Sequence, residues 1–325
     1  MPCPNCAACG AVGRQLYADL KDGLFTAPGV WSLVVCANDS CGLIWLDPMP
    51  LPEDLHLAYQ EYYTHGDELA GPRAKRLAKC AYRLVVDAFL SMVGIPQERK
   101  RAQLMFIDDS RPLTLLDIGC GQGDFLAKMA KRGWSVAGVD FDPIAVQAAR
   151  DRYGLDVCVG TVDSIIERGR KFDVVTISHV IEHVPEPVVF LSQCRRLLQP
   201  GGRVILKTPN VDSFGHRKYG RAWRGLEPPR HLHLFTVRAL HACARQAGFV
   251  RTHCFTTSVG AEVIWTASHF LQRKSEFRFA ALTTSEFVQS KFLAPLFALQ
   301  GKFRWWLDRA SGEEICAVLK NDSSV

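Results

Sequence analysis

No stretch of this 325-residue chain approaches the uninterrupted apolar run of about 20 residues that a bilayer crossing requires, although 48% of its residues are hydrophobic. Its first residues, Met1-Pro-Cys-Pro-Asn-Cys6, contain neither the basic patch nor the apolar core of an export signal. Internal repeats are absent, as is low-complexity sequence beyond the polar tail from Asn321 to Val325. These absences point to a globular cytoplasmic protein, long enough for one large domain plus a small one. A strong charge of either sign is also missing: 39 Lys and Arg stand against 33 Asp and Glu, a net charge of +6. Nucleic acid is therefore not the expected partner. The excess is local, with eight basic residues (73, 75, 76, 79, 83, 99, 100 and 101) against Asp87 and Glu98. A second basic stretch holds Arg217, Lys218, Arg221, Arg224 and Arg230 against Glu227. Such clusters recruit an anionic small molecule or a membrane surface, or are simply solvated faces.

Twelve cysteines would suit a disulfide-linked secreted protein, but five fall within the first 41 residues and the other seven are scattered singly through apolar segments. Metal at the front and reduced thiols elsewhere is the better account. Cys6-x2-Cys9-Gly10 and Cys36-x4-Cys41-Gly42 flank 26 residues that alternate and turn like short strands. Two such knuckles supply the four thiolates of a closed, structural zinc site. Cys3 with Cys6 is an alternative first knuckle. Cys6 and Cys9 are preferred because Cys9-Gly10 mirrors Cys41-Gly42, glycine letting the backbone turn under the metal.

The core of the chain is organised around Leu115-Leu-Asp-Ile-Gly-Cys-Gly-Gln-Gly-Asp-Phe-Leu126. An apolar strand breaks at a turn of Gly119, Gly121 and Gly123, and a helical pattern follows. Glycines suit a turn where backbone approaches a ligand and the next helix offers free N–H groups. A second strand, Ser135 to Val139, ends in Asp140, at the distance where a carboxylate takes the two hydroxyls of a ribose. The glycine spacing fits neither the dinucleotide nor the phosphate-loop pattern well, since no Lys-Ser/Thr pair follows. Helices and strands then alternate to strand 249–257, a helical aromatic segment spans 261–309, and Glu314 to Leu319 supplies one more strand. The expected fold is α/β, a doubly wound and mostly parallel sheet. Three parts follow: a zinc ribbon over 1–50, a helical connector over 51–110 including a basic amphipathic helix from Arg73 to Val93, and an α/β domain over 111–325.

Leu115 to Leu126 with Val139-Asp140-Phe141, then Phe172 to His183 and Leu198-Gln-Pro-Gly-Gly202, resembles the class I S-adenosylmethionine-dependent methyltransferases. The resemblance runs in order over about residues 113 to 257. It implies a seven-stranded Rossmann-like sheet whose last strand pairs antiparallel, with 261–309 inserted in the final hairpin. It further implies that Asp117, Gly119, Cys120 and Gly121 line the methionine part of S-adenosylmethionine, that Asp140 takes the ribose and Phe141 lies against adenine. Thr161, Val162 and Asp163 would lie at the far adenine edge, with Ser178 and His179 where donor and acceptor meet. Asp142 before Pro143 is the better helix cap, leaving Asp140 for the ribose. Tyr62-Tyr63, ahead of the cofactor domain, has a counterpart in the resembling family.

Methyl transfer from a sulfonium is an in-line displacement, so the protein aligns two reactants and removes a proton. His183, after the fourth strand, is a candidate base, or else a residue that fixes its loop. The long segment Val211 to Leu234 is a candidate acceptor-binding element. Its end, Pro228-Pro-Arg-His-Leu-His-Leu-Phe235, resembles the corresponding segment of zinc-ribbon-bearing sugar C-methyltransferases, in which a Glu-His pair is the base. His231 falls on that histidine; Arg230 stands where the glutamate would be. The resulting expectation is S-adenosylmethionine-dependent O- or C-methylation of a small anionic metabolite, such as a nucleotide- or lipid-linked sugar. Ribosomal RNA is an alternative acceptor, a non-catalytic cofactor-binding scaffold is the alternative of another class, and peripheral membrane contact is compatible with the basic segments.

Overall fold

A computed structural model describes residues 1–59, 86, 90–108, 111–278 and 281–321. Most of the expected helix from Arg73 to Val93, and Tyr62-Tyr63, lie outside the described residues.

Four strands form a small antiparallel sheet. Three come from the amino-terminal segment, β1 (Gly13–Leu20), β2 (Trp31–Cys36) and β3 (Ile44–Leu46). The cysteine knuckles bracket β1 and β2, the second leading into β3, with Gly10 (φ 76°) and Gly42 (φ 70°) in the left-handed conformation that a Cβ disfavours. The fourth strand was not foreseen, because its two residues belong to the candidate acceptor segment almost two hundred positions later.

The larger sheet has seven strands: β4 (Thr114–Ile118), β5 (Ser135–Asp140), β6 (Val157–Val159), β7 (Phe172–Ser178), β8 (Leu198–Pro209), β10 (Arg251–Thr257) and β11 (Glu314–Lys320). The remaining strand, β9 (His233–Leu234), is the one that joins the ribbon, pairing Ile44 with Leu234 and Trp45 with His233. Spatial order in the large sheet is β10-β11-β8-β7-β4-β5-β6, parallel from β8 to β6 and antiparallel at β11. The order reverses beside β4, which is where an open α/β sheet forms its ligand crevice.

Its central strands are apolar runs rather than alternating ones because both faces are covered. Leu116, Ile118, Val175, Ile177, Val204 and Leu206 pack to one side. Leu115, Val174 and Ile205 pack to the other, against Leu126, Met129, Trp134 and Val146. Helices alternate with strands as expected: α1 (Ile95–Ala102), α2 (Asp124–Ala130), α3 (Pro143–Tyr153), α4 (Val162–Glu167), α5 (Pro187–Arg196), α6 (Phe214–Tyr219) and α7 (Val237–Gln246). Asp142 caps α3, accepting from the N–H groups of Ile144 and Ala145. The aromatic insertion is two helices between β10 and β11, α8 (Ala261–Lys274) and α9 (Thr284–Leu307). No described helix is long and apolar enough to cross a membrane.

One apolar core unites both sheets. Cys36, Leu43, Trp45 and Leu46 of the ribbon are continuous with Trp223, Leu232, Leu234 and Phe235 of the later segment and with Leu240 of α7. Polar contacts reinforce the junction: Thr236 Oγ1 donates to the Cys41 carbonyl (2.6 Å), and Gln246 Nε2 to that of Ala8 (2.6 Å).

Candidate active site

The crevice begins at the end of β4. Gly119 adopts φ 74°, and a Cβ there would stand 2.5 Å from Val180 Cγ2. Gly121 adopts φ 51°, and a Cβ there would meet nothing within 4 Å. The turn therefore requires glycine on its inner side and is open toward the crevice, which admits a ligand close to the backbone. Asp140, at the end of β5, is 8% exposed, and its carboxylate accepts from Gly121 N–H (2.7 Å) and Asp142 N–H (2.9 Å). It fixes the glycine turn and retains lone pairs for a diol. Asp117 is buried, and burial pushes its pKa up to about 7, against a hydrogen bond from Thr176 Oγ1 (2.7 Å). Cys120 is buried beneath the turn, its thiol raised by burial and by the two aspartates.

Phe141, next after Asp140, is an exposed ring, edge-on to Tyr59 at 5.7 Å between centroids. Thr161 precedes α4, Val162 is buried, and Asp163 is exposed and accepts from Gln193 Nε2 (2.7 Å). These three line up along β6's end, with Asp163 turned toward α5.

Beyond β7, Ser178 is followed by His179 in the left-handed region at φ 55°. A branched-Cβ-free but non-glycine residue there is strained by about 1 kcal/mol or more. It is held by its imidazole, whose Nδ1 is 3.1 Å from Glu182 and Nε2 2.8 Å from Glu314. Burial lowers the pKa of His179, but the two carboxylates outweigh it and raise the value to about 9. With both ring nitrogens on carboxylates, His179 braces the loop.

Glu182 is fully buried. Burial pushes its pKa up, yet the His179 hydrogen bond and the nearby histidines hold it down at about 2. Its second oxygen accepts from Thr208 Oγ1 (3.0 Å), and its backbone carbonyl from Leu232 N–H (2.8 Å). The β7 loop is thereby joined to the segment that carries His231. His183 Nδ1 lies 2.9 Å from the Arg230 carbonyl, which only an N–H can reach as donor, so Nε2 keeps the free lone pair. Tyr59 Oη shares that proton at 3.1 Å. His231 is 5% exposed, donates from Nδ1 to the Gly225 carbonyl (2.8 Å), and stands with its ring centroid 4.9 Å from that of His183. Burial lowers its pKa to about 4, so it is a neutral imidazole at pH 7. One ligand atom from each of Glu182, His183 and His231 lies within 4.8 Å of the others.

The candidate acceptor segment departs from its reading as a basic, substrate-facing stretch. Arg230 is fully buried, bonded through Nη1 to Asp22 (2.9 Å) and the Ala58 carbonyl (3.0 Å) and through Nε to Glu227 (3.2 Å). Arg221 donates to the carbonyls of Ala18 and Asp19, and Arg217 to that of Asp212. Much of this charge holds the segment to the ribbon. The Asp22–Arg230–Glu227 group had no signal in the sequence, since its members are joined only by folding.

At the other end of the ribbon, the sulfurs of Cys6, Cys9, Cys36 and Cys41 lie within 4.8 Å of one another, with Cys6–Cys41 at 3.7 Å and Cys9–Cys36 at 3.4 Å. Tetrahedral zinc with bonds of about 2.3 Å sets its sulfurs about 3.8 Å apart, so the donor set fits that ion. Cys3 instead has its sulfur 3.6 Å from the Met1 carbonyl.

A parallel sheet reversing at β4, an antiparallel strand inserted at β11, and an open glycine turn clasped by a buried carboxylate define a class I methyltransferase fold. Residues 93–253 match a family model described as a methyltransferase domain. The match takes in just under half of the chain, which thus carries a methyltransferase domain. It is 36% identical over 147 residues to a ubiquinone biosynthesis O-methyltransferase of Cereibacter sphaeroides, covering 42% of this chain and 60% of that protein. A namesake from Pseudomonas paraeruginosa is 39% identical over 103 residues, 30% of this chain and 44% of that one. The chain thus spans about half the length of these curated relatives. A solved S-adenosylmethionine-dependent methyltransferase from Archaeoglobus fulgidus aligns with 74% of the chain and 94% of its own, at 17% identity and a TM-score of 0.44.

Proposed function

We propose that the chain transfers the methyl group of S-adenosylmethionine to an oxygen of a small anionic acceptor in the cytoplasm, a nucleotide- or lipid-linked sugar being the first candidate. Asp117, Gly119 and Gly121 would hold the amino-acid part, Asp140 the ribose and Phe141 the adenine, the sulfonium supplying an activated methyl group. The observation that carries the reading is the His183–His231 pair. Each imidazole donates its Nδ1 proton to a backbone carbonyl and keeps Nε2 as an acceptor, at the carboxyl end of β7 where the acceptor has to enter. His183, the less buried of the two, is assigned as the group that takes the acceptor's hydroxyl proton; His231 orients it from a neutral ring. O-methylation is preferred to C-methylation because Arg230 is engaged with Asp22 and Glu227, so the carboxylate–histidine base of the sugar C-methyltransferases is not reproduced at that position.

Cys6, Cys9, Cys36 and Cys41 are assigned to one structural zinc ion. Elemental analysis of the purified chain is expected to return about one zinc per molecule, and Cys41→Ser to abolish it. For the catalytic reading, calorimetry with S-adenosylhomocysteine is expected to show binding that His183→Asn leaves unchanged. Turnover on an acceptor panel falls by about 10² to 10⁴ in that variant. Absence of binding by the wild-type protein overturns the proposal, and full turnover by His183→Asn removes the base assignment.

A further inference from the structure

Helix α9 carries apolar residues on two sides and buries only one of them. Its inner side, with Ser290, Phe297, Ala298, Gly301 and Lys302, packs against the rest of the fold. A Cβ on Gly301 would stand 2.7 Å from that of Ala261, so α8 and α9 touch closely there. On the outer side Val288, Phe292, Leu296, Phe303, Trp306 and Leu307 are between 47% and 69% exposed. At about 100° of rotation per residue these six positions, with half-buried Leu299 among them, fall within an arc of about 100°, forming one stripe about 30 Å long. With about 150 to 250 Å² for each large side chain, the exposed part is on the order of 600 Å². A bare apolar patch of that size marks a contact surface.

The charges beside the stripe favour one sign. Glu286, the one carboxylate of the helix, is held by Lys274 and by the Thr283 cap, and Asp308 at its end is paired with Arg217 (3.4 Å). In the connection into the helix, Glu276 is balanced in number by Arg278. Arg304 and Arg309 have no carboxylate partner among the described residues; both are exposed and lie over the rings of Phe214 (4.6 Å) and Trp305 (3.8 Å). The most basic stretch of the chain also ends at this helix. Residues 73 to 101 hold eight basic side chains against two acidic ones, and Val86, Leu90 and Ile95 from that stretch pack in one cluster with Ala298 and Leu299 of α9. Of its two carboxylates, Glu98 is taken by Lys302. A stripe of aromatic and aliphatic side chains with surplus cations beside it is what an interfacial helix offers to anionic lipid. A second copy of the chain would cover the apolar residues but would bring like charges together.

We infer that the outer face of α9 rests on an anionic phospholipid surface, with Phe292, Leu296, Phe303 and Leu307 entering the headgroup boundary and Arg304 and Arg309 meeting lipid phosphates. The helix lies on the bilayer rather than through it, as no described helix is long and apolar enough to cross one. The inference concerns where the molecule sits and is independent of the assignments of acceptor and base.

The test is co-sedimentation of the full chain with vesicles of phosphatidylcholine mixed with phosphatidylglycerol and, separately, with vesicles of phosphatidylcholine alone. Binding to the mixed vesicles is expected, about tenfold tighter than to the neutral ones and weakened by salt. Phe292→Gln combined with Leu296→Gln is expected to weaken it about tenfold or more, and Arg304→Gln about fivefold. The double variant is expected to melt with the wild type and to keep its affinity for S-adenosylhomocysteine, because the two side chains are already largely in water. Absence of binding to the mixed vesicles, equal binding to both kinds, or binding unchanged in the double variant overturns the inference. Light scattering in solution is expected to show a monomer for both proteins; a wild-type dimer that the double variant dissolves overturns the inference in favour of a second copy on this face. Failure of S-adenosylhomocysteine to bind bears on the methyltransferase reading alone and leaves the vesicle result to stand by itself.

Discussion

The cofactor crevice and the acceptor side are built in opposite ways. The crevice is local: Gly119, Gly121 and Asp140 come from two adjacent βα units, and the bond that closes it, Gly121 N–H to Asp140, spans 19 residues. The acceptor side is assembled across the chain, with Arg230 bonded to Asp22 over 208 positions, Thr236 to Cys41 over 195 and His183 to Arg230 over 47. A site made of neighbouring turns tolerates change elsewhere in the molecule, whereas a site made of docked parts depends on the docking. The two regions are therefore expected to respond separately to mutation.

The sharpest way to break that separation is at the junction itself. Asp22→Ala leaves Arg230 buried with one carboxylate fewer, and removal of one partner of a buried pair costs about 3 to 5 kcal/mol. Chemical denaturation is expected to show that loss while S-adenosylhomocysteine still binds the folded fraction with wild-type affinity. A weakened affinity would mean that the two halves are coupled after all. The same pair gives an acid limb: Asp22, its carboxyl lowered by Arg230 against the effect of burial, contributes stability present above the ordinary aspartate range and lost as pH falls through its folded value.

A second test is the pH dependence of stability. Burial lowers His231 and His233 from 6.5 to about 4, so between those values the unfolded chain binds protons that the folded chain refuses. Their contribution is full above pH 6.5 and is lost as pH falls toward 4, by about 3 kcal/mol for each histidine. Urea melts at pH 7 and pH 4.5 are expected to show the drop, and His233→Gln to flatten it. His179, raised to about 9, has the opposite sign, stabilising below its unfolded value and ceasing to do so as pH rises through 9; its side chain is 40% exposed, so water weakens the effect.

The smallest expected effect lies in the crevice. Asp140→Ala removes the charge that accepts from two backbone N–H groups and is assigned to the ribose. A loss of about 2 to 3 kcal/mol, on the order of a hundredfold in S-adenosylhomocysteine affinity, is expected in calorimetry. The zinc content of that variant should be unchanged; a simultaneous loss of metal would show that the crevice and the ribbon fold as one unit.

Legibility in the sequence follows the same division. Strand-turn-helix order, the carboxylate at Asp140, the Asp142 cap and the existence of strand β11 were readable, because hydrophobic period and turn chemistry act over a few residues, whereas the antiparallel pairing of β11 came from the family resemblance. The four-cysteine grouping was readable from spacing. The fourth ribbon strand was not, because two residues, His233 and Leu234, have no period of their own and acquire strand geometry only by pairing with Ile44 and Trp45. Arg230 read as a surface charge in a basic stretch for a related reason: a residue string shows a guanidinium but not the Asp22 that will neutralise it. His183 and His231 were each visible as candidates, while their mutual contact depended on Glu182 joining their two loops.

The pairing of β3 with His233–Leu234 carries a consequence for how this molecule tolerates being cut. Deleting the first fifty residues would strip a strand partner from the stretch that follows His231 and uncover Leu232, Leu234 and Phe235, all shielded in the intact fold. What remains would present a bare sheet edge beside fresh apolar surface, the combination that draws chains into aggregates. The cysteine-knuckled front is thus no detachable appendage, and a trimmed version should be sought in the insoluble fraction.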